Sequence, residues 1–85
     1  MDQMDAGATY EMSPRRVVFE YHTNGEARSA AISGDALERL IGSKDLAGLA
    51  QNLAAYQAHW KAIHGLAARK HDQGHEPVVI RVGDI

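Results

Sequence analysis

The side chains with the widest chemical reach in this sequence are its five histidines, His22, His59, His64, His71 and His75. Three of them, His64, His71 and His75, stand at i, i+7 and i+11, which on one continuous helix puts them on roughly one side. Imidazole is the commonest protein ligand for zinc, and Asp72 or Glu76 could add an oxygen. The spacing argues against that site. The first pair is separated by ~10 Å along a helix axis, and Gly74 stands as a helix stop before His75. His71 and His75 are four apart, but with the helix stop between them no pair has the firm i, i+4 helical placement of an H-E-x-x-H helix. No metal and no other cofactor is expected.

His64 is the most informative of the five, because it follows Trp60 by one helical turn beside an apolar seam. A half-buried imidazole there could act as a pH-sensitive group or a proton shuttle. The structural alternative is an amphipathic core-edge side chain with one satisfied ring nitrogen. The lack of a paired nucleophile or carboxylate at fixed spacing favours the structural role. Ser13, Ser29, Ser33 and Ser43 lack a G-x-S-x-G setting, and the glycines form neither a G-x-G-x-x-G nor a P-loop pattern. With no cysteine, disulfides and thiolate chemistry are excluded. No catalytic residue is expected, and the chain does not read as an enzyme.

Arg15-Arg16 and the group Lys61, Arg69 and Lys70 could form a modest basic patch, with Tyr21 or Trp60 available for stacking on a base. Nine basic residues against eleven acidic give a net charge of −2, which weakens a nucleic-acid reading. The candidates for interaction are thus Trp60, Tyr56, His64, Arg69 and Lys70.

These residues must be positioned by a short chain of 85 residues, 45% hydrophobic and 24% charged, a composition suited to one globular domain. Residues 1–14 read as a flexible N-terminal arm with Tyr10 and Met12 as anchors, and residues 15–85 as a single α+β domain. No apolar run approaches the ~20 residues that span a bilayer. The acidic start lacks the apolar segment of a signal peptide, so a cytoplasmic location is expected.

From Arg16, the apolar residues Val17, Phe19 and Tyr21 alternate with Val18, Glu20 and His22, the period of a half-buried strand. Asn24-Gly25 suits the two positive-φ positions of a type I′ turn, with a return strand over residues 27–32. Ser33 is placed to cap a short helix that carries Asp35 in its first turn and ends at Gly42. Residues 43–71 read as one long amphipathic helix, capped by Ser43. Leu46, Leu49, Leu53, Tyr56, Trp60, Ile63 and Ala67 recur on it at spacings of three and four. Residues 77–82 read as a third strand, placed beside the first. The expected fold is α+β: a β-hairpin, a short helix, a long amphipathic helix and a third strand. They would form a small, mainly antiparallel three-stranded sheet with helices on one face.

A 29-residue helix runs ~43 Å, whereas a six-residue strand covers ~20 Å. The apolar stripe is too long for such a sheet, so a homodimer through the long helix is expected.

Four stretches carry a family likeness: Val17-Val18-Phe19 with its hairpin, Ile32-Ser33-Gly34-Asp35-Ala36-Leu37, Ile63-His64-Gly65-Leu66-Ala67, and the closing strand followed by Asp84-Ile85. Together they resemble the small bacterial proteins of the domain of unknown function 1488 family, over roughly residues 10–85. The resemblance implies a compact α+β fold and a bacterial source, and no activity. Where the relatives carry more arginine and aromatic residues before the last strand, this chain has His71-Asp72-Gln73-Gly74-His75-Glu76. The expected function is a non-enzymatic interaction or structural module. The alternatives are a weak nucleic-acid-binding or regulatory protein using the basic end of the long helix, and a metal-responsive or catalytic protein centred on His64.

Overall fold

The computed structural model describes residues 2–42, 46 and 48–85. Strand β2 (Arg15–Thr23) turns through Asn24 and Gly25, at φ 54° and 77°, into β3 (Glu26–Ser33), with Thr23 paired to Glu26. Both turn residues take the positive φ that a type I′ hairpin needs. Ahead of the hairpin, β1 (Thr9–Met12) pairs antiparallel with β2. At the other edge β4 (Val78–Ile80) pairs parallel with β3, giving the order β1-β2-β3-β4.

The expected three-stranded, mainly antiparallel sheet is therefore corrected to a mixed sheet of four strands with three helices among the described residues. The extra strand is Thr9–Met12, where Tyr10 alone offers the core a large side chain, too little to show a period of two. The closing strand lies beside β3, not beside the first hairpin strand. It runs parallel because the helices between β3 and β4 form a crossover that brings the chain back in the same direction.

The core lies on one face of this sheet. Val17, Phe19 and Tyr21 of β2, Ala30 and Ile32 of β3, and Val78 and Ile80 of β4 are all buried there. Helix α1 (Gly34–Ile41) adds Ala36 and Leu37. Its N-terminus is capped by Ser33 Oγ, which accepts from the Ala36 amide at 3.1 Å, and Gly42 closes it at φ 74°.

The long helix is likewise corrected. Two helices occupy that stretch, α2 (Leu49–Ala58) and α3 (Trp60–Asp72), parted at His59, whose φ of −121° leaves helical geometry. The expected cap Ser43 and its neighbour Asp45 lie outside the described residues. A straight helix of ~43 Å exceeds the longest dimension of the molecule, 34 Å. Breaking at His59 lets both halves lie on the same sheet. The inward face of α2 also turns: Asn52, Ala55 and Tyr56 are buried, whereas Leu49 is 58% exposed. Tyr56, Ile63 and Ala67 keep their place in the core.

At the foot of β2, Arg15 donates to Glu38, to Asp35 and to the carbonyl of Leu46, clamping α1 to the sheet. Gly34 makes room for this clamp, because a Cβ at that position would collide with the Arg15 guanidinium. We expect Gly34→Ala to lower the unfolding free energy by about 1–2 kcal/mol, the range of a displaced charged hydrogen-bond partner. In an Arg15→Ala background the same change should cost little. Urea denaturation of the four proteins checks this.

Candidate functional site

Beneath the sheet, β2 contributes Phe19 and Tyr21, α2 contributes Tyr56, and α3 contributes Trp60 and His64. The periodicities of strand and helix point all five toward one place. The His64 ring lies parallel to Phe19, with centroids 5.0 Å apart and 10° between planes, and Trp60 meets it edge-on at 5.3 Å. At 1% exposure, His64 is sealed from solvent.

A buried imidazole needs a partner for each nitrogen. Tyr56 Oη lies 2.6 Å from Nε2, and the Asp2 carboxylate lies 2.9 and 3.0 Å from Nδ1. Tyr56 Oη also accepts from the Asp5 amide at 3.1 Å. The donors and acceptors close in one way: Nδ1–H donates to Asp2, Tyr56 O–H donates to Nε2, and the Asp5 N–H donates to the phenol oxygen. Burial pushes the Tyr56 phenol up to about 12, which keeps it a donor. Burial alone would raise the Asp2 carboxyl. The hydrogen bonds from His64 and the His22 amide outweigh it and hold the group below its ordinary value.

The same acidic residues finish the sheet. Pairing of β1 with β2 ends at Thr9 and Val18, so the next amides along that edge of β2 need other acceptors. Asp5 Oδ2 takes the Glu20 amide at 2.8 Å, and Asp2 Oδ1 takes the His22 amide at 3.0 Å. Asp2 and Asp5 are the residues that sequence reasoning missed. Their only signal was an acid at each of two positions three apart, without a visible partner.

Carboxylate, imidazole and hydroxyl in series form a general acid–base chain by composition. Here Tyr56 is fully buried, and every polar atom of the imidazole and phenol is engaged within the chain. Asp2, one-third exposed, is the member of the chain that reaches solvent.

The remaining candidates are dispersed. Trp60 is half-buried, with Lys61 Nζ 5.8 Å from its ring centroid. Arg69 is exposed and lines a shallow groove with Leu40, Leu66 and Ile85. Lys70 is turned away from it, donating to the Val79 carbonyl at 2.9 Å and to Asp84 at 2.7 Å; that bond holds the Asp84 carboxyl below its ordinary value. The basic end of the helix is therefore not a continuous patch. His71 sits 3.7 Å from Glu76, His75 is exposed, and no group of three metal-ligating side chains occurs among the described residues.

A family model described as a protein of unknown function, DUF1488, matches residues 4–80. The chain belongs to the DUF1488 family. The stretch that matches DUF1488 contains Tyr56, His64 and Arg16, while Asp2 and Arg81 fall outside it. No curated protein and no solved structure matches the chain. Among the described residues, no helix is long and apolar enough to cross a membrane.

Because the Asp2 carboxyl titrates below its usual value in the folded chain, its contribution is full above about pH 4. It is lost as pH falls through the lower, folded value. We expect Asp2→Asn to destabilise the protein near pH 7 and to flatten the loss of stability on acidification. Thermal melts of both proteins between about pH 3 and 7 check the sign.

Proposed function

We propose that this chain is a non-enzymatic binding module that acts as a single copy, with a cytoplasmic location as part of the proposal. One observation carries the reading: in the chain Asp2–His64–Tyr56 the imidazole and phenol are fully buried, and each of their polar atoms is engaged by Asp2, by the Asp5 amide or by one another. A side chain whose lone pairs and protons are all engaged inside the fold serves to hold elements together.

The expectation of self-association through the helices rests on an apolar stripe too long to cover. The break at His59 removes that premise. Tyr56, Ile63 and Ala67 are fully buried and Leu46 is 9% exposed within one chain, so that only Leu49 among the large residues of the stripe stands mostly in solvent. A single exposed leucine falls far short of the ~800 Å² per partner of a standard interface. A nucleic-acid role through the end of α3 has little support, since Lys70 is engaged and Arg69 stands alone.

The surface assigned to binding is the other face of the sheet, where Val18 and Val79 are half-buried on either side of the buried Ala31 and line an open depression with no helical residue among the described residues in its lining. Sedimentation equilibrium at micromolar concentration should return one mass of 9.3 kDa. A stable dimer would overturn the single-copy reading.

A further inference from the structure

We propose that the open face of the sheet holds a binding site for a small amphipathic anion, a carboxylate or phosphate on a short apolar body, gripped by Arg16 and Arg81. The inference rests on the reading of the chain as a binding module and names the chemistry of its ligand.

The register of the sheet assembles the site. Arg16 pairs with Ser33 across β2 and β3, and Ile32 pairs with Ile80 across β3 and β4. One residue further, Arg81 is still extended, at φ −117° and ψ 169°, so its side chain falls on the face opposite Ile80, beside Ser33. Arg16, Ser33 and Arg81 thus form one row across three strands, with the two arginines ~10 Å apart at the backbone. Long side chains from that separation converge on a single anion. Both line one depression of about 490 Å³, together with Pro14, Val79 and Val82.

The donors are available. Arg16 spends Nε on Glu11 at 2.7 Å, which fixes the plane of its guanidinium, and neither terminal nitrogen has a partner among the described residues. The Arg81 side chain lies against the Asp84 backbone in the turn that follows β4, and its guanidinium makes no ion pair among the described residues. Arg15 and Asp35 also border the depression; Arg15 is shared between Asp35, Glu38 and the Leu46 carbonyl, and the lining as a whole carries the guanidinium groups of Arg15, Arg16 and Arg81 against the single carboxylate of Asp35. Two guanidinium groups with paired N–H donors suit a carboxylate or phosphate, which accepts such forks bidentately.

The apolar half follows from the next row on the same face. Two residues along the strands, ~7 Å away, Val18, Ala31 and Val79 stand side by side. They floor a second depression of about 290 Å³ that shares Arg16 and Val79 with the first and is closed by Pro77. A trough with cationic groups at one end and valine, alanine and proline along its floor matches a head group with a short alkyl chain or a single ring. A bare anion would leave that floor in water, and a neutral apolar molecule would leave the arginines unused.

The test is titration of the full chain, nitrogen-15 labelled, with hexanoate and hexyl phosphate, and with inorganic phosphate and hexanol as the separated halves. We expect saturable shifts at Arg16, Val18, Ser33, Val79 and Arg81 with at least one of the two amphiphiles, the tighter of them naming the head group. Each half alone should bind at least about tenfold more weakly. Arg16→Gln and Arg81→Gln should each weaken binding by about tenfold, the scale of one lost charged hydrogen-bond pair. Arg39→Gln, exposed on α1, should leave it unchanged. No saturation by either amphiphile at ~10 mM, well beyond the millimolar range of weak ligands, overturns the site. So does binding that the two arginine variants leave intact. Tyr56→Phe, checked for a folded spectrum, separates the two readings: retained binding supports a purely structural Asp2–His64–Tyr56 chain. Binding lost there but sensitive to Arg16 and Arg81 in the parent protein upholds the site and contradicts that structural role.

Discussion

Placing an imidazole and a phenol under a small sheet is costly unless each polar atom meets a partner, and much of this fold follows from how that requirement is met. His64 draws Tyr56 from the preceding helix on one side and Asp2 from the far end of the sequence on the other. Asp2 in turn takes an edge amide of β2, and Asp5 takes another while donating to Tyr56. One buried ring therefore ties together α2, α3, the central strand β2 and the residues ahead of β1. In a low-dielectric interior a chain of this kind is worth most when complete, because each lost member leaves its neighbour buried and unpaired.

The second constraint is area. A small sheet can cover only a short length of helix, and the chain answers by breaking its helical stretch at His59 rather than by leaving the stripe in solvent. The break brings Tyr56 and Ile63 onto the same side of the sheet and sets Tyr56 within reach of Nε2 of His64. The polar chain and the bend thus belong together. With both helices used on one face, the opposite face of the sheet keeps its valines and arginines for other contacts.

Local chemistry in this chain was legible from sequence. Asn24-Gly25 marks its turn, Ser33 its cap and Gly42 its helix end, each because the backbone geometry required there is one that few other residue types satisfy. Non-local chemistry was not. Thr9–Met12 lacks an apolar alternation and becomes a strand only because β2 offers it an edge. Nothing at His59 resembles a helix breaker, since the break answers the size of the sheet and not a local preference. Asn52 is buried against the period of its leucines, its amide donating to the Gly48 carbonyl. The partner of His64 lies 62 residues away, beyond the reach of any spacing rule. The row of Arg16, Ser33 and Arg81 exists only once β4 is known to run parallel to β3.

The central claim is that His64 is a closed junction in a structural chain, with Nδ1–H given to Asp2 and Nε2 accepting from Tyr56. Long-range proton–nitrogen correlation spectra of the imidazoles report the tautomer of each neutral histidine directly. Recorded at alkaline pH, they should show His64 as the Nδ1–H tautomer, unlike the exposed His75, with its ring proton slow to exchange with water. An Nε2–H tautomer at His64, or a ring proton exchanging as fast as that of His75, would contradict it.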